Sequence, residues 1–190
     1  MIKKQFALIL ILLSSFGYAQ EFDVYDWEEV QNADPDTVFA ISFEKDRLST
    51  LPASLEKFTS LRKLNLAKNK LSKLPEFIFT FDSLQELDLT KNKLSKFPVG
   101  FCRLSGLKQL MIGSNDIASL PDCIEYISAL EYLDLYDNPI AHLPQSMMRL
   151  ENLQKVDFTG IRFNKEFQKQ WTEQLPKTEL VFDSPCDCMN

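Results

Sequence analysis

LNLAKNKLSKLP, residues 64–75, returns as LDLTKNKLSKFP, residues 87–98, 23 positions further along the chain. A duplicated phrase of this kind is either local or the period of the whole protein, and the rest of the sequence decides which. Setting Leu61 as position 0 and stepping by 23 in both directions gives Val38, Leu61, Leu84, Leu107, Leu130 and Leu153. Position 3 reads Ile41, Leu64, Leu87, Leu110, Leu133 and Val156, and position 5 reads Phe43, Leu66, Leu89, Ile112, Leu135 and Phe158. Position 13 is apolar in the first five units and is followed each time by proline, from Pro52 to Pro144. A chain that is 45% hydrophobic does not fill such columns by chance. The phrase is the period.

Each unit reads LxxLxLxxNxLxxLPxx(I/F)xxLxx. The central L-x-L alternates with the two-residue period of a strand that buries one face. Asn69, Asn92, Asn115 and Asn138 follow at position 8. A buried amide left unpaired costs about 1–3 kcal/mol, so these side chains are expected to be tied down. An amide both donates and accepts, which lets a stack of them bridge the backbones of adjacent turns. The proline then ends regular pairing, having no N–H and a fixed φ. A single 23-residue unit cannot bury its own leucines, so neighbouring units must share one continuous core.

These motifs, in register from Val38 to Phe163, resemble the leucine-rich repeat family in its short form with LP after the asparagine turn. The resemblance implies an α/β solenoid: a right-handed arc with a parallel concave sheet, short helical or irregular convex segments, and caps at both ends. It also implies a style of function, the binding of another protein on the concave face.

The ends depart from the pattern. Asp46 and Ile161 stand where asparagine is expected in the first and sixth units. Upstream, Asp26-Trp27-Glu28-Glu29 suits a helix N-terminus, with a helix expected from Trp27 to about Ala33. Downstream, Phe163, Phe167, Trp171 and Leu175 recur every four residues, the spacing of one helical face, and TELVFD (178–183) reads as a last strand. The expected organisation is therefore an export signal over 1–19, an N-terminal cap over 20–37, six repeats over 38–163, a cap helix and strand over 164–183, and a tail over 184–190.

The signal rests on Lys3 and Lys4 before the apolar run FALILILL (6–13), then Gly17-Tyr18-Ala19 before a cut. Eight apolar residues are too few for a span that needs about 20, so no transmembrane segment is expected in the mature chain. The expected location is secreted, periplasmic or extracellular, where disulfides persist. For the four cysteines, Cys102, Cys123, Cys186 and Cys188, the preferred reading is a buried Cys102 and a free Cys123. A bridge between those two, one unit apart, is the alternative. CxC in the tail supplies only two ligands and resembles no zinc site.

The net charge of −6 argues against nucleic-acid binding, and one histidine and five glycines leave little material for imidazole metal sites or phosphate loops. His142 has no nucleophile set beside it by the register, so the chain does not read as an enzyme, and no cofactor or metal is expected. Residues between the buried leucines point to the concave face. There Met111, Tyr132 and Tyr136 gather beside Asp134, Asp137 and Asp157, a composition suited to a protein- or peptide-binding patch. For the aspartates alone, a solvated sheet face is the simpler reading. Lys68, Lys70, Lys91 and Lys93, with Lys45, Arg47, Lys73 and Lys96, line the loops leaving the sheet. They offer an alternative glycan- or anion-binding surface, although solubility and protection of the edge are the preferred reading of them.

Overall fold

The structure is a computed structural model and describes residues 22–186; the expected export signal and Cys188 lie outside the described residues. Eight short strands form one parallel sheet in chain order. They are β1 (Tyr25–Asp26), β2 (Ala40–Ser42), β3 (Lys63–Asn65), β4 (Glu86–Asp88), β5 (Gln109–Met111), β6 (Tyr132–Asp134), β7 (Lys155–Asp157) and β8 (Glu179–Val181). Leu64, Leu87, Leu110 and Leu133 are direct register partners on successive strands. The sequence period is thus the coil of the solenoid. All four leucines are at most 1% exposed, and the core continues from Val30 to Leu175.

After each proline the chain returns along the convex side in a five-residue 3-10 helix: Ala53–Lys57, Glu76–Thr80, Val99–Arg103, Asp122–Tyr126 and Gln145–Arg149. One apolar residue at the centre of each turn (Leu55, Ile78, Phe101, Ile124, Met147) is fully buried. A tight turn presents one side chain most directly inward per revolution; Phe79 and Ser146 are buried as well.

The asparagines form the ladder that their chemistry suggests. Asn92 Nδ2 donates to Leu66 O of the preceding coil and to Leu89 O of its own, both at 2.9 Å, while Oδ1 accepts from Leu71 N at 3.0 Å. Asn69, Asn115 and Asn138 repeat this pattern. Each amide therefore satisfies turn backbone that lies too deep for water. Position 7, just before the asparagine, is left-handed in all six coils: Lys45, Lys68, Lys91, Ser114, Asp137 and Gly160 have φ between 50° and 78°. In Lys45, Lys68, Lys91, Ser114 and Asp137 the N–H donates to the position-6 carbonyl of the next coil. A side chain bearing Cβ costs about 1–2 kcal/mol in this conformation. Only the last coil uses glycine.

Both ends are lidded. Helix α1 (Trp27–Val30) starts at Asp26 with a capping box through Glu29 and ends at Val30, short of Ala33. Asp34 instead accepts from Asp36 N and opens a 3-10 turn over Pro35–Thr37. Trp27 stacks on Phe43 at 5.4 Å and meets Phe58 edge-on. At the other end α2 (Lys165–Gln174) is capped by Asn164, which accepts from Phe167 N, and buries Trp171. Phe163 stacks on Phe167 with ring centres 4.0 Å apart, and β8 extends the sheet beyond β7. No helix among the described residues is long and apolar enough to cross a membrane.

The cysteine expectation needs correction. Cys102 and Cys123 are joined by a disulfide, with Cα atoms 5.7 Å apart. On the convex side position 18 of one coil meets position 16 of the next along a diagonal. One coil earlier the same diagonal lays the Phe79 ring on Gly100, where a Cβ would lie 2.3 Å from ring atoms. Cys102 is half-buried on that diagonal and Cys123 is not free. Cys186 is disulfide-bonded as well.

Two outcomes test this architecture. Asn92→Ala leaves Leu71 N, Leu66 O and Leu89 O without their partner and should destabilise by about 3 kcal/mol in urea unfolding, far more than a surface alanine substitution. The double substitution Cys102→Ala, Cys123→Ala reopens a loop of 21-residue separation and should cost about 3 kcal/mol in urea unfolding.

Candidate functional site

The sheet face between the buried leucine columns is built by register. Tyr132, Asp134 and Tyr136 follow one another along the sixth strand and its exit, all on the concave side. Met111 is the register partner of Asp134 on one flank and Asp157 on the other; Gln109 and Lys155 flank Tyr132. The structure thus brings together five of the six residues singled out for this face: Met111, Tyr132, Asp134, Tyr136 and Asp157.

Their roles differ. At position 4 the side chain caps the end of its own strand. Asp88 Oδ1 accepts from Thr90 N, Asp157 Oδ1 from Thr159 N, and Asn65 Oδ1 from Ala67 N, at 2.8–3.0 Å. Asp134 Oδ1 does the same for Tyr136 N at 2.9 Å. Asp134 is 8% exposed, so it supports the surface more than it forms it. Met111 has no oxygen to accept in this way, and its coil continues with Gly113. A Cβ at Gly113 would lie 2.2 Å from the Tyr136 ring and 2.9 Å from Asp134 Oδ1. The missing side chain at 113 is what lets Tyr136 lie flat across the neighbouring coil.

Asp137, the sixth residue, sits elsewhere. It is in the left-handed turn at position 7, exposed, and its Oδ2 accepts from Ser114 Oγ at 3.0 Å. With Ser114, Asp116, Pro139 and Gly160 it lines an open polar hollow of about 470 Å³ on the loop edge. The four lysines of the basic edge, Lys68, Lys70, Lys91 and Lys93, are all exposed on the same edge, two coils and more toward the N-terminus. Lys68 Nζ bonds Glu44 Oε1 at 2.8 Å.

Charge on the concave face is unevenly matched. Lys63 pairs with Glu86 at 2.8 Å, and Lys155 with Glu179 at 2.9 Å. Asp88, Asp134 and Asp157 have no salt bridge among the described residues. Burial pushes the Asp134 carboxyl up to about 6; the Tyr136 N–H opposes this, and Asp157 and Asp88 add to it. Burial, then the same group of carboxylates, raises the Tyr132 hydroxyl to about 12, so it remains a hydrogen-bond donor at physiological pH. No group of three or more histidine, cysteine or acidic side chains among the described residues is arranged to hold a metal ion. His142 is exposed on the loop edge, and Cys102 and Cys123 are consumed by their bond.

The model of the leucine-rich repeat region matches residues 44–179. The chain belongs to the leucine-rich repeat family. Among solved structures it is similar to a leucine-rich repeat protein of Leptospira interrogans, at 26% identity and a TM-score of 0.70, over 77% of this chain and 38% of that one. It is also similar to an internalin of Listeria monocytogenes, at 16% identity and a TM-score of 0.64, over 82% of this chain and 49% of that one, a likeness of fold alone. The chain spans less than half the length of either. No curated protein matches it. The leucine-rich repeat fold suggests a protein-binding scaffold in general terms.

Gly113 was not among the sequence candidates, although it is the one glycine in its column and stands beside the one methionine at position 4. The Asp134 carboxyl yields a pH test. Its folded value of about 6 exceeds the reference 3.8, so the native chain holds this proton more tightly than the unfolded chain. The resulting stabilisation is complete below the unfolded value and is lost as pH rises through about 6. Asp134→Asn keeps an acceptor for Tyr136 N–H and cannot ionise. Its melting temperature should exceed the parent's at about pH 7.5, with the gap closing toward about pH 4.

Proposed function

We propose that this leucine-rich repeat solenoid is a non-enzymatic scaffold that binds a protein or peptide on the C-terminal half of its concave face. The observation that carries the reading is the tyrosine pair. Tyr132 and Tyr136 are both half-buried on one strand row, and Tyr136 is spread over Gly113. Tyrosine held this way offers area at little entropic cost, and such residues dominate interface energetics. Met111 beside them adds a polarizable, adaptable contact, and Asp157 a charged rim. The sheet beneath is held by leucine packing and by the asparagine ladder, so little ordering is needed on binding.

Export supports the same picture. The apolar run at 6–13 suits a signal over 1–19, with the N-terminal cap, repeats and C-terminal cap following at 20–37, 38–163 and 164–183. A disulfide between adjacent coils fits an oxidising location, secreted, periplasmic or extracellular. Anion or glycan binding at Lys68, Lys70, Lys91 and Lys93 is the second reading; it concerns the loop edge and not the face.

The test is a pull-down from the native extracellular or periplasmic fraction, run with the parent chain and with Tyr132→Ala, Tyr136→Ala. A protein held by the parent should bind the variant at least about tenfold more weakly, with melting temperature and circular dichroism little changed. Equal retention of the partner by the double variant would move the site off this face.

A further inference from the structure

Resting on the second reading of the lysine edge, we infer that the loop edge of the first three coils is a separate binding site for a linear acidic polysaccharide. Four observations lead there. First, Lys45, Arg47, Lys68, Lys70, Lys73, Lys91, Lys93 and Lys96 are all exposed, against one acid, Asp46, on the same stretches 45–50, 68–73 and 91–96. Successive coils repeat at the spacing of parallel strands, about 4.8 Å, so the cations form a ladder along the solenoid axis. The segregation is sharp on a chain of net charge −6: the next two coils put Ser114, Asp116 and Asp137, Pro139 at the corresponding positions 7 and 9.

Second, lysine occupies position 7 at φ of 67°, 59° and 58° in three consecutive coils, a conformation that Gly160 adopts without a side chain to strain it. Ser114 and Asp137 hold the same turn in the next two coils at φ of 50° and 52°, so the turn itself does not call for lysine. Among the described residues, the ion pairs formed by these eight cations involve only Lys45 and Lys68, both with Glu44. Solubility alone would be served as well by lysine at unstrained positions, and more so by acidic residues.

Third, a hydroxyl column runs beside the cations and stops at the same coil. Position 11 is Ser49, Ser72 and Ser95, all exposed, and then Ala118 and Ala141. Cations for sulfate or carboxylate groups next to hydroxyls for sugar oxygens make one recognition chemistry. Fourth, the alternatives lack what they need. The three stretches contain no aromatic residue on which a nucleobase could stack. Leu71 and Leu94 are buried and Leu48 half-buried, so no apolar face is offered for insertion between lipid headgroups.

The experiment uses immobilised heparin as the polysaccharide probe, with neutral dextran, a single-stranded DNA oligomer and phosphatidylserine vesicles as the other arms. The parent should bind heparin and not dextran, and release it as salt rises toward about 0.5 M. Lys70→Gln, Lys93→Gln should weaken binding about tenfold, whereas Lys169→Gln, Lys177→Gln, the same change of charge at the C-terminal cap, should change it less than about twofold. Lys91→Gly should weaken binding while raising the melting temperature by about 2 °C, opposite signs that a purely structural lysine does not give. Equal effects of the two double variants, no binding of heparin at physiological salt, or tighter binding of the DNA or the vesicles would each overturn the inference. Because Tyr132 and Tyr136 lie on the other face, their alanine variants should bind heparin as the parent does, so this site and the concave one stand or fall separately.

Discussion

The leucines of one coil have nowhere to go except against the leucines of the next. A coil of 23 residues is a loop of chain with a two-sided apolar interior, and each side is covered by a neighbour that has the same need. The zero exposure of Leu66, Leu89, Ile112 and Leu135 records this mutual cover. It also dictates what must happen at the ends, where the neighbour is missing. The chain answers with aromatic residues: Trp27 laid on Phe43 at one end, and Phe163, Phe167 and Trp171 at the other. Large flat side chains cover an exposed apolar end with few residues, which suits a cap that has no further coil to lean on.

Tight stacking creates a second demand, because it carries turn backbone away from water. The asparagine ladder meets it by placing one amide among three or four backbone groups of two coils. Position 4 meets it at the strand end, where an aspartate, asparagine or serine accepts the N–H two residues on. Much of the polar chemistry in each unit is therefore spoken for by the backbone. The side chains left free to vary on the concave face are those at positions 2 and 6, together with any coil that abandons the position-4 acceptor. The Met111 coil is the one that abandons it. Its glycine two residues later is the space into which Tyr136 spreads.

What the sequence makes legible follows from this economy. Anything repeated at 23 residues appears as a column: the strands, the prolines, the asparagine ladder and the helical face of the C-terminal cap. What runs across the columns does not. The Cys102–Cys123 bond joins position 18 to position 16, a diagonal of 21 residues that a vertical alignment does not bring together. Strand β1 has two residues, too few to show alternation. The left-handed turn at position 7 is hidden because lysine, serine and aspartate occupy a place where glycine would have announced it. For the face, the reading of the residues brought Met111, Tyr132, Tyr136 and Asp157 to one patch. It did not separate Asp134, whose oxygen is committed to Tyr136 N–H, from Asp137, which the turn carries round to the edge.

A solenoid transmits little along its length, since each coil touches only the one before and the one after. Substitutions on well-separated surfaces then add without coupling, and different parts of the molecule can be tuned independently. The first three coils carry cations and serines on the loop edge; the fifth carries tyrosines on the sheet. In a globular core such specialisation would have to be reconciled across shared packing. Here it needs only that the buried columns be left alone, because the exposed positions contribute side chains to the surface and backbone to the ladder. The disulfide fastens the third coil to the fourth, where the cationic edge ends and one coil before the tyrosines. A covalent tie on the convex side limits how far the coils can splay there, and so fixes the spacing of both surfaces against the same rigid sheet.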